Sequence, residues 1–243
     1  RIGATQVSAF LGTDGGSADA MGVQLNGGEL GVLLYEGDAG YSYALQARGE
    51  LSLVGVEGLS LSGEGLVRRN ATGSALDETI TVGTQQIQVQ FGADEIDMTR
   101  VEGADLQLDV ADFVVLRGSF SFQKTGPPEA VQIQVGGNAI TAFVGTGYGS
   151  DEATGIEVSG ASLALLINTD SNNTSYALYA AGTVSALGLD AVGLSFDGSA
   201  SVAINTTGAP VDETIDGVAL QFTSADEVYR LAGVVDVSVS GFV

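Results

Sequence analysis

The chain has no cysteine, no histidine and no tryptophan among its 243 residues, and it has only 3 prolines. Without cysteine and histidine, the sequence excludes thiolate and imidazole nucleophiles, zinc sites built from these residues, and Ser-His-Asp relays. No apolar run approaches the roughly 18 residues that a membrane-spanning helix needs, so we expect no membrane insertion. These absences remove much of enzyme chemistry, and the sequence predicts a protein that is not an enzyme.

Basic residues are also scarce. Lysine and arginine together number 8, against 30 aspartates and glutamates, which gives a formal net charge of −22. Nucleic acids and anionic membrane surfaces are bound through clustered cations, so neither is an expected partner. The acidic chain instead suits divalent cations and high-salt surroundings. With 44% hydrophobic residues, it still has ample material for a folded core.

Repetition is what the sequence has in abundance. The stretch V-S-A-F-L-G-T at residues 7–13 recurs as I-T-A-F-V-G-T at residues 140–146, an offset of 133 (140 − 7). The tetrapeptide D-E-T-I occurs at residues 77–80 and again at residues 212–215, an offset of 135 (212 − 77). Similarity at one period along nearly the whole chain is the sign of an array, so the sequence predicts two tandem repeats of about 133 residues.

The first predicted repeat comprises residues 1–139 and the second comprises residues 140–243. The second repeat stops at Val243, which is equivalent to Val114, whereas the first repeat continues beyond that point. Residues 1–6 resemble the tail of this continuation, which gives the first repeat a circularly permuted start. We therefore expect the chain to be a window from a longer tandem protein.

The hydrophobic pattern has a period of two. Tyr43, Leu45 and Ala47, for example, alternate with Ala44 and Gln46. This alternation predicts half-buried strands with one apolar and one wet face, and helix in less than about a tenth of the residues. The predicted fold class is therefore all-β. Weak similarity inside each repeat favours a β-solenoid, while hairpin-like loops favour antiparallel β-sandwich modules as the alternative.

The paired carboxylates of the D-E-T-I tetrapeptides, Asp77-Glu78 and Asp212-Glu213, are candidates for the two acids of a glycosidase. That chemistry needs two carboxyl groups about 5 to 10 Å apart across a cleft. Adjacent residues of a strand point to opposite faces, so neither pair meets this geometry by itself. We interpret these acids as residues of solvated turns that were copied when the module was duplicated.

Calcium is the ion that the acidic loops suit best, because it takes about six to eight oxygen ligands. The candidate ligands are Glu36, Asp38, Asp151, Glu152, Asp170 and Asn172. The sequence has neither a D-x-D-x-D-G loop nor an array of G-G-x-G-x-D nonapeptides, and ordinary turn chemistry is the alternative explanation of these residues. No other cofactor is predicted.

Three N-x-[ST] triplets make Asn70, Asn172 and Asn205 candidate glycosylation sites. Asn70 and Asn205 occupy equivalent positions of the repeat, at an offset of 135 (205 − 70). The alternative is that such triplets arise by chance in turns rich in asparagine and threonine.

Two equivalent segments, Leu106–Val114 and Val235–Val243, are predicted to form strand edges, and the second has little protecting charge, with Asp236 alone charged. An unprotected edge templates the addition of another strand. The residues predicted to form the self-association edge are Leu106, Leu108, Val110, Val235, Val237 and Val239. The expected partners are further copies of the chain, joined end to end in a tandem protein or a polymer. The natural partner strand for the second edge is one equivalent to Leu116–Lys124, or residues 1–10 of a neighbouring unit.

The repeat unit, rich in glycine, alanine, valine, threonine and aspartate and poor in lysine, resembles the tandem modules of very large secreted prokaryotic surface proteins, such as adhesins and filament-forming proteins. The resemblance implies an extracellular or cell-surface location and a structural role in a fibre, filament or surface layer, often with calcium rigidifying the array. The alternative function is an adhesive module that binds carbohydrate or another cell surface.

Overall fold

The structure is a computed structural model that describes residues 1–37, 40–55, 59–110, 113–126, 130–170, 174–190 and 193–239. The prediction of an all-β chain is confirmed, since 78% of the residues are in strands and the described ranges contain no helix. Accordingly, no described segment is a helix able to cross a membrane.

The described residues form fifteen strands. In chain order, they are β1 (Ile2–Thr13), β2 (Met21–Gly37), β3 (Gly40–Val54), β4 (Leu59–Asn70), β5 (Leu76–Val82), β6 (Gln85–Phe91), β7 (Thr99–Val110), β8 (Val114–Thr125), β9 (Ala130–Thr146), β10 (Thr154–Asp170), β11 (Thr174–Leu187), β12 (Leu194–Asn205), β13 (Val211–Ile215), β14 (Val218–Phe222) and β15 (Val228–Val239).

Eleven of these strands form one sheet in the order β1-β2-β3-β4-β7-β8-β9-β10-β11-β12-β15, with every neighbouring pair antiparallel. The remaining strands form two hairpins, β5–β6 and β13–β14. Each hairpin leaves the sheet after a strand and returns to the next one in the sheet. The two D-E-T-I tetrapeptides lie in β5 and β13, so the prediction that their acids belong to turns is wrong.

Both hairpins pack on the same face of the sheet, which we call the front face. Beneath the first hairpin, Leu33 and Ala44 pack against Ile80, Val89 and other hairpin residues. Beneath the second, Ala164, Leu166, Ala177 and Ala203 pack against an equivalent set, namely Val211, Ile215, Val218, Leu220 and Phe222. These two clusters are the hydrophobic cores. An isolated hairpin is only marginally stable in water, so each hairpin depends on its packing against the sheet.

The opposite face of the sheet, which we call the back face, is lined by apolar side chains on both sides of five bulges. At each of them a residue with positive φ inserts into a strand and reverses the parity of the alternation. The bulge residues and their φ angles are Gln6 (55°), Gly27 (62°), Asp105 (49°), Ala139 (50°) and Gly160 (57°). As a result, Leu25 and Leu30 both point to the back face although one number is odd and the other even.

The sheet is open, neither closed nor curled, and neither the solenoid nor the sandwich expectation is confirmed. Strand β9 continues through residues 139 and 140, where the sequence places the boundary between repeats, and it stays paired with β8 and β10 on both sides of the bulge at Ala139. The part of the molecule that positions the candidate site is therefore this continuous junction, made of β7, β8, β9 and the tip of the second hairpin.

Candidate functional site: the sheet junction and its free edge

Asp216, at the tip of the β13–β14 hairpin, is the centre of the junction. Arg100 donates a hydrogen bond from Nη2 to Asp216 Oδ1 at 2.6 Å, and the Ser121 hydroxyl donates to Oδ2. The Asn138 side-chain amide donates to the backbone carbonyl of Asp216. These three donors lie on β7, β8 and β9, so the tip of the second hairpin is hydrogen-bonded to three strands that precede it in the chain.

Local sequence explains why the tip is built this way. Asp216 and Gly217 both have positive φ, 48° and 79°, as a two-residue hairpin turn of the primed type requires, and Asp-Gly suits that turn. Below the tip, a methyl group on Gly136 would lie 2.3 Å from Asp216 Oδ2, so only glycine permits this approach. Gly3 is 133 residues earlier and lies in the same way beneath Ile80 and Val82 of the first hairpin.

The ion pair at the junction is partly shielded from water. Burial lowers the pKa of Arg100, but hydrogen bonds and charge interactions with Glu102 and Asp216 raise it by more, so that the net shift is upward. The Arg100 guanidinium therefore stays charged around neutral pH. Arg230, its counterpart in the predicted second repeat, lies on the same face of β15 and is exposed.

A second ion pair holds the base of the first hairpin. Arg68 donates from Nη2 to Glu95 Oε2 at 3.0 Å and to the Gln90 carbonyl at 2.6 Å, and its guanidinium carbon lies 4.8 Å from the centre of the Phe91 ring. The backbone N–H of Gly92 also donates to Glu95, at 2.8 Å. Burial raises the pKa of Glu95, but these hydrogen bonds and the charge of Arg68 lower it below its ordinary value of 4.5.

This lowered pKa predicts a dependence of stability on pH. The folded chain holds the Glu95 proton less tightly than the unfolded chain does. The contribution of Glu95 to the free energy of unfolding is therefore present above pH 4.5 and is lost as the pH falls through the pKa of the folded state. We therefore expect Glu95→Gln to lose more stability at neutral pH than in acid. Urea unfolding from about pH 7 to pH 3 measures this difference.

The matched control is Glu227→Gln, because Glu227 is the counterpart of Glu95 in the predicted second repeat and is exposed, with Tyr229 as its hydrogen-bond donor. A loss of stability in Glu95→Gln that is the same at every pH would contradict the prediction.

Two buried asparagines organise the turns that precede the hairpins. The side chains of Asn70 and Asn205 are both 0% exposed. Asn70 Oδ1 accepts from the N–H and hydroxyl of Thr72 at 3.0 and 2.7 Å, and Nδ2 donates to the carbonyls of Ser74 and Glu95. In the second turn, Asn205 Oδ1 accepts from Thr207 in the same way and at the same distances.

These contacts bear directly on the predicted glycosylation sites. Nδ2, the atom that would carry a glycan, donates to Ser74 and Glu95 in Asn70 and to Ala209 in Asn205. A glycan at either position would require the turn to open, so the folded structure does not favour modification there. Asn172 lies outside the described residues. The equivalence of Asn70 and Asn205 was a signal for these structural turns.

The predicted self-association edge divides into two parts. Leu106, Leu108 and Val110 lie in β7, which is paired with β4 on one side and β8 on the other, so this segment is not an edge. Val235, Val237 and Val239 lie in β15, which ends the sheet and pairs only with β12 among the described strands. All three are exposed, Val237 to 64%. Of the two predicted edges, only β15 lies at an edge of the sheet, and β1 forms the opposite edge.

The candidate calcium ligands are dispersed. Glu36 is exposed near the end of β2, Asp151 and Glu152 are exposed in the turn after β9, and Asp170 is the last residue of β10. Asp38 and Asn172 lie outside the described residues. Within the described ranges, no three Asp, Glu, Cys or His side chains cluster closely enough to hold a metal ion. Calcium binding stays a prediction.

The alternative function, carbohydrate binding, would use exposed aromatic side chains, and tyrosines lie on β3 and β11. Tyr41 and Tyr43 are exposed on the back face, two residues apart, whereas Tyr179 packs against the second core. Carbohydrate binding stays a prediction.

Comparison of the chain with family models, with curated proteins and with solved structures finds no match.

Sequence reasoning missed the Asp216 cluster. The sequence signals only the hairpin turn, since Asp-Gly between two short alternating runs is the strongest local sign of a hairpin. It does not signal the contacts of Asp216 with β7, β8 and β9.

Proposed function

We propose that the chain is a structural unit of an extracellular fibre, filament or surface layer, and that it extends by adding strands at the edge of β15. The observation that carries this proposal is the junction inside the chain. There, one sheet passes through the boundary between the two predicted repeats, and the hairpin of the second is fixed to β7, β8 and β9. A unit built in this way already contains the contact that would join it to the next.

The finer proposal is that the two halves are tandem repeats joined as one extended sheet. β15 then corresponds to β7, and Arg230 corresponds to Arg100. In the first repeat, β8 pairs with the edge of β7, and Arg100 of β7 binds Asp216 at the tip of the hairpin of the second repeat. The same two contacts, made by a neighbouring unit, would cover β15 and bind Arg230. A structural role in an elongated extracellular array is the function that best fits a sheet with an unpaired edge strand.

The strand directions favour a β8-like strand as the first addition. Eleven strands that alternate in direction leave β1 and β15 pointing the same way. Direct docking of β15 on β1 of another copy would therefore form a parallel pair, while an intervening strand keeps the whole sheet antiparallel. Antiparallel pairing is slightly more stable per residue. The partner is thus an unpaired strand that resembles Val114–Thr125, supplied by a neighbouring unit. β8 of this chain cannot itself be the donor, because it is already paired with β7 and β9.

A labelled peptide with the sequence of Val114–Thr125 tests this proposal. We expect saturable one-to-one binding to the whole protein, measured by fluorescence anisotropy, because the peptide supplies backbone hydrogen bonds to a free edge. Two variants, Val234→Pro and Val235→Pro, locate the site. In an antiparallel strand, successive N–H groups point to opposite sides, so one proline removes a bond to β12 and the other removes a free donor.

The informative variant is the one that keeps the thermal unfolding temperature of the parent. It should weaken peptide binding by roughly tenfold, since one backbone hydrogen bond is lost and the ring obstructs the edge. A peptide with prolines at the positions of Leu116 and Phe120 is the control ligand. Absence of binding, or binding that neither β15 variant weakens, would reject the proposal.

A further inference from the structure

The back face of the eleven-stranded sheet is almost entirely apolar. Along one row of cross-strand neighbours, the register places apolar residues on every strand from one end of the sheet to the other. From β2 to β15, these are Leu30, Ala47, Val67, Val101, Phe122, Val135, Leu165, Leu178, Ile204 and Tyr229. Neither hairpin packs on this face.

Charge is divided between the faces with the same asymmetry. Apart from the bulge residue Asp105, alternation along the described strands of the main sheet places three charged residues on the back face, namely Glu36, Arg69 and Lys124. Each lies one residue before the end of its strand, and the three strands, β2, β4 and β8, run in the same direction. These charges therefore lie towards one rim of the sheet. The other described charges belong to the front face, the hairpins or the connecting segments.

The solvent-accessible area of the chain is larger than that expected of a compact monomer. The chain exposes 14016 Å². A compact monomer of 24.5 kDa is expected to expose about 10,000 Å². One face of an eleven-stranded sheet, with strands about 4.8 Å apart and roughly 12 residues long, measures about 2,000 Å². Stacking two such faces would bury about 4,000 Å² in total, which lies within the range of obligate homodimers.

We infer that the back face binds the back face of a second copy of this chain, forming a two-layer β-sandwich. The partner must present a flat apolar surface of the same extent, and the second copy has one. Two sheets stacked in this way lie about 10 Å apart and keep the acidic front faces and hairpins on the outside, in water. The three back-face charges remain at the rim. This pairing is independent of strand addition at β15, because it leaves both sheet edges free.

Sedimentation equilibrium of the whole chain over a range of concentrations tests the inference. We expect a closed dimer, twice the mass of one chain, and no open series of larger species at the concentrations where the dimer forms. The disrupting variant is Val101→Glu with Phe122→Glu, a cross-strand pair at the middle of the back face whose side chains are each 40% exposed in the single chain. It should raise the dimer dissociation constant at least about a hundredfold, because carboxylates would be buried without partners.

The matched control is Thr183→Glu with Ser199→Glu, a cross-strand pair that is exposed on the front face. It adds the same charge and should leave the dimer intact. Circular dichroism shows whether each variant keeps its strands. A parent chain that remains monomeric would overturn the inference, and so would equal loss of the dimer in both variants. Monomers that bind neutral phosphatidylcholine vesicles would overturn it in favour of a lipid-covered face.

Discussion

Asn70→Ala is expected to lower the free energy of unfolding by about 3 to 5 kcal/mol. The substitution removes four hydrogen bonds at a position that is 0% exposed. It leaves the carbonyls of Ser74 and Glu95 and the N–H of Thr72 without these partners. A buried polar group that loses its partner costs more than the hydrogen bond had contributed, which is why the effect exceeds that of a surface asparagine. Urea unfolding monitored by circular dichroism measures the change.

Asn205→Ala should also lower the free energy of unfolding, but by less, since the Asn205 side chain makes three hydrogen bonds where Asn70 makes four. The control is Asn168→Ala, because Asn168 is only half-buried in β10 and accepts one hydrogen bond, from Gln132. That variant should lose less than about 1 kcal/mol. If Asn70→Ala and Asn168→Ala destabilise the protein equally, the buried turn does not hold the hairpin in place.

Phe91→Ala is expected to cost about 3 to 5 kcal/mol and to release the β5–β6 hairpin from the sheet. Phe91 is 1% exposed in the first core, where it lies with Leu33, Val89 and Met98. Truncation leaves a cavity between hairpin and sheet, and it removes the aromatic ring over which Arg68 lies. Such a loss is a large part of the total stability of an ordinary domain.

Amide hydrogen exchange distinguishes local release from global unfolding. In Phe91→Ala, the amides of β5 and β6 should exchange faster than those of β13 and β14, because the second core has its own residues. Phe113→Ala is the control, since Phe113 is 52% exposed and its truncation leaves no cavity. Equal acceleration of exchange in both hairpins would show that the two cores unfold together and would contradict this prediction.

The sequence by itself determined the class of fold. Alternation of apolar and polar residues, as in β3 and β6, specifies strands because neighbouring side chains of a strand point to opposite faces. The matching stretches at offsets of 133 and 135 placed corresponding strands in the two halves, and the two D-E-T-I tetrapeptides lie in corresponding hairpin strands. These features depend on residues close in sequence, so a pattern is enough to identify them.

The roles of particular residues depended on contacts that sequence does not show. Asn70 and Asn205 matched a glycosylation pattern, but their environment is decided by the carbonyls and threonines that surround them after folding. Asp216 and Arg100 are 116 residues apart, and only the path of the second hairpin over β9 brings them together. Neither carries a local signal for this partner.

Only the tertiary structure decided which apolar strand is an edge and which face of the sheet is left uncovered. Leu108 and Val237 have similar surroundings in sequence, yet β7 has a neighbour on each side and β15 has one. The bulges at Asp105 and Ala139 reverse the alternation, so residues of opposite parity share the back face. The physical reason is that an edge and a face are properties of the order in which strands assemble, whereas the alternation fixes only that each strand has two sides.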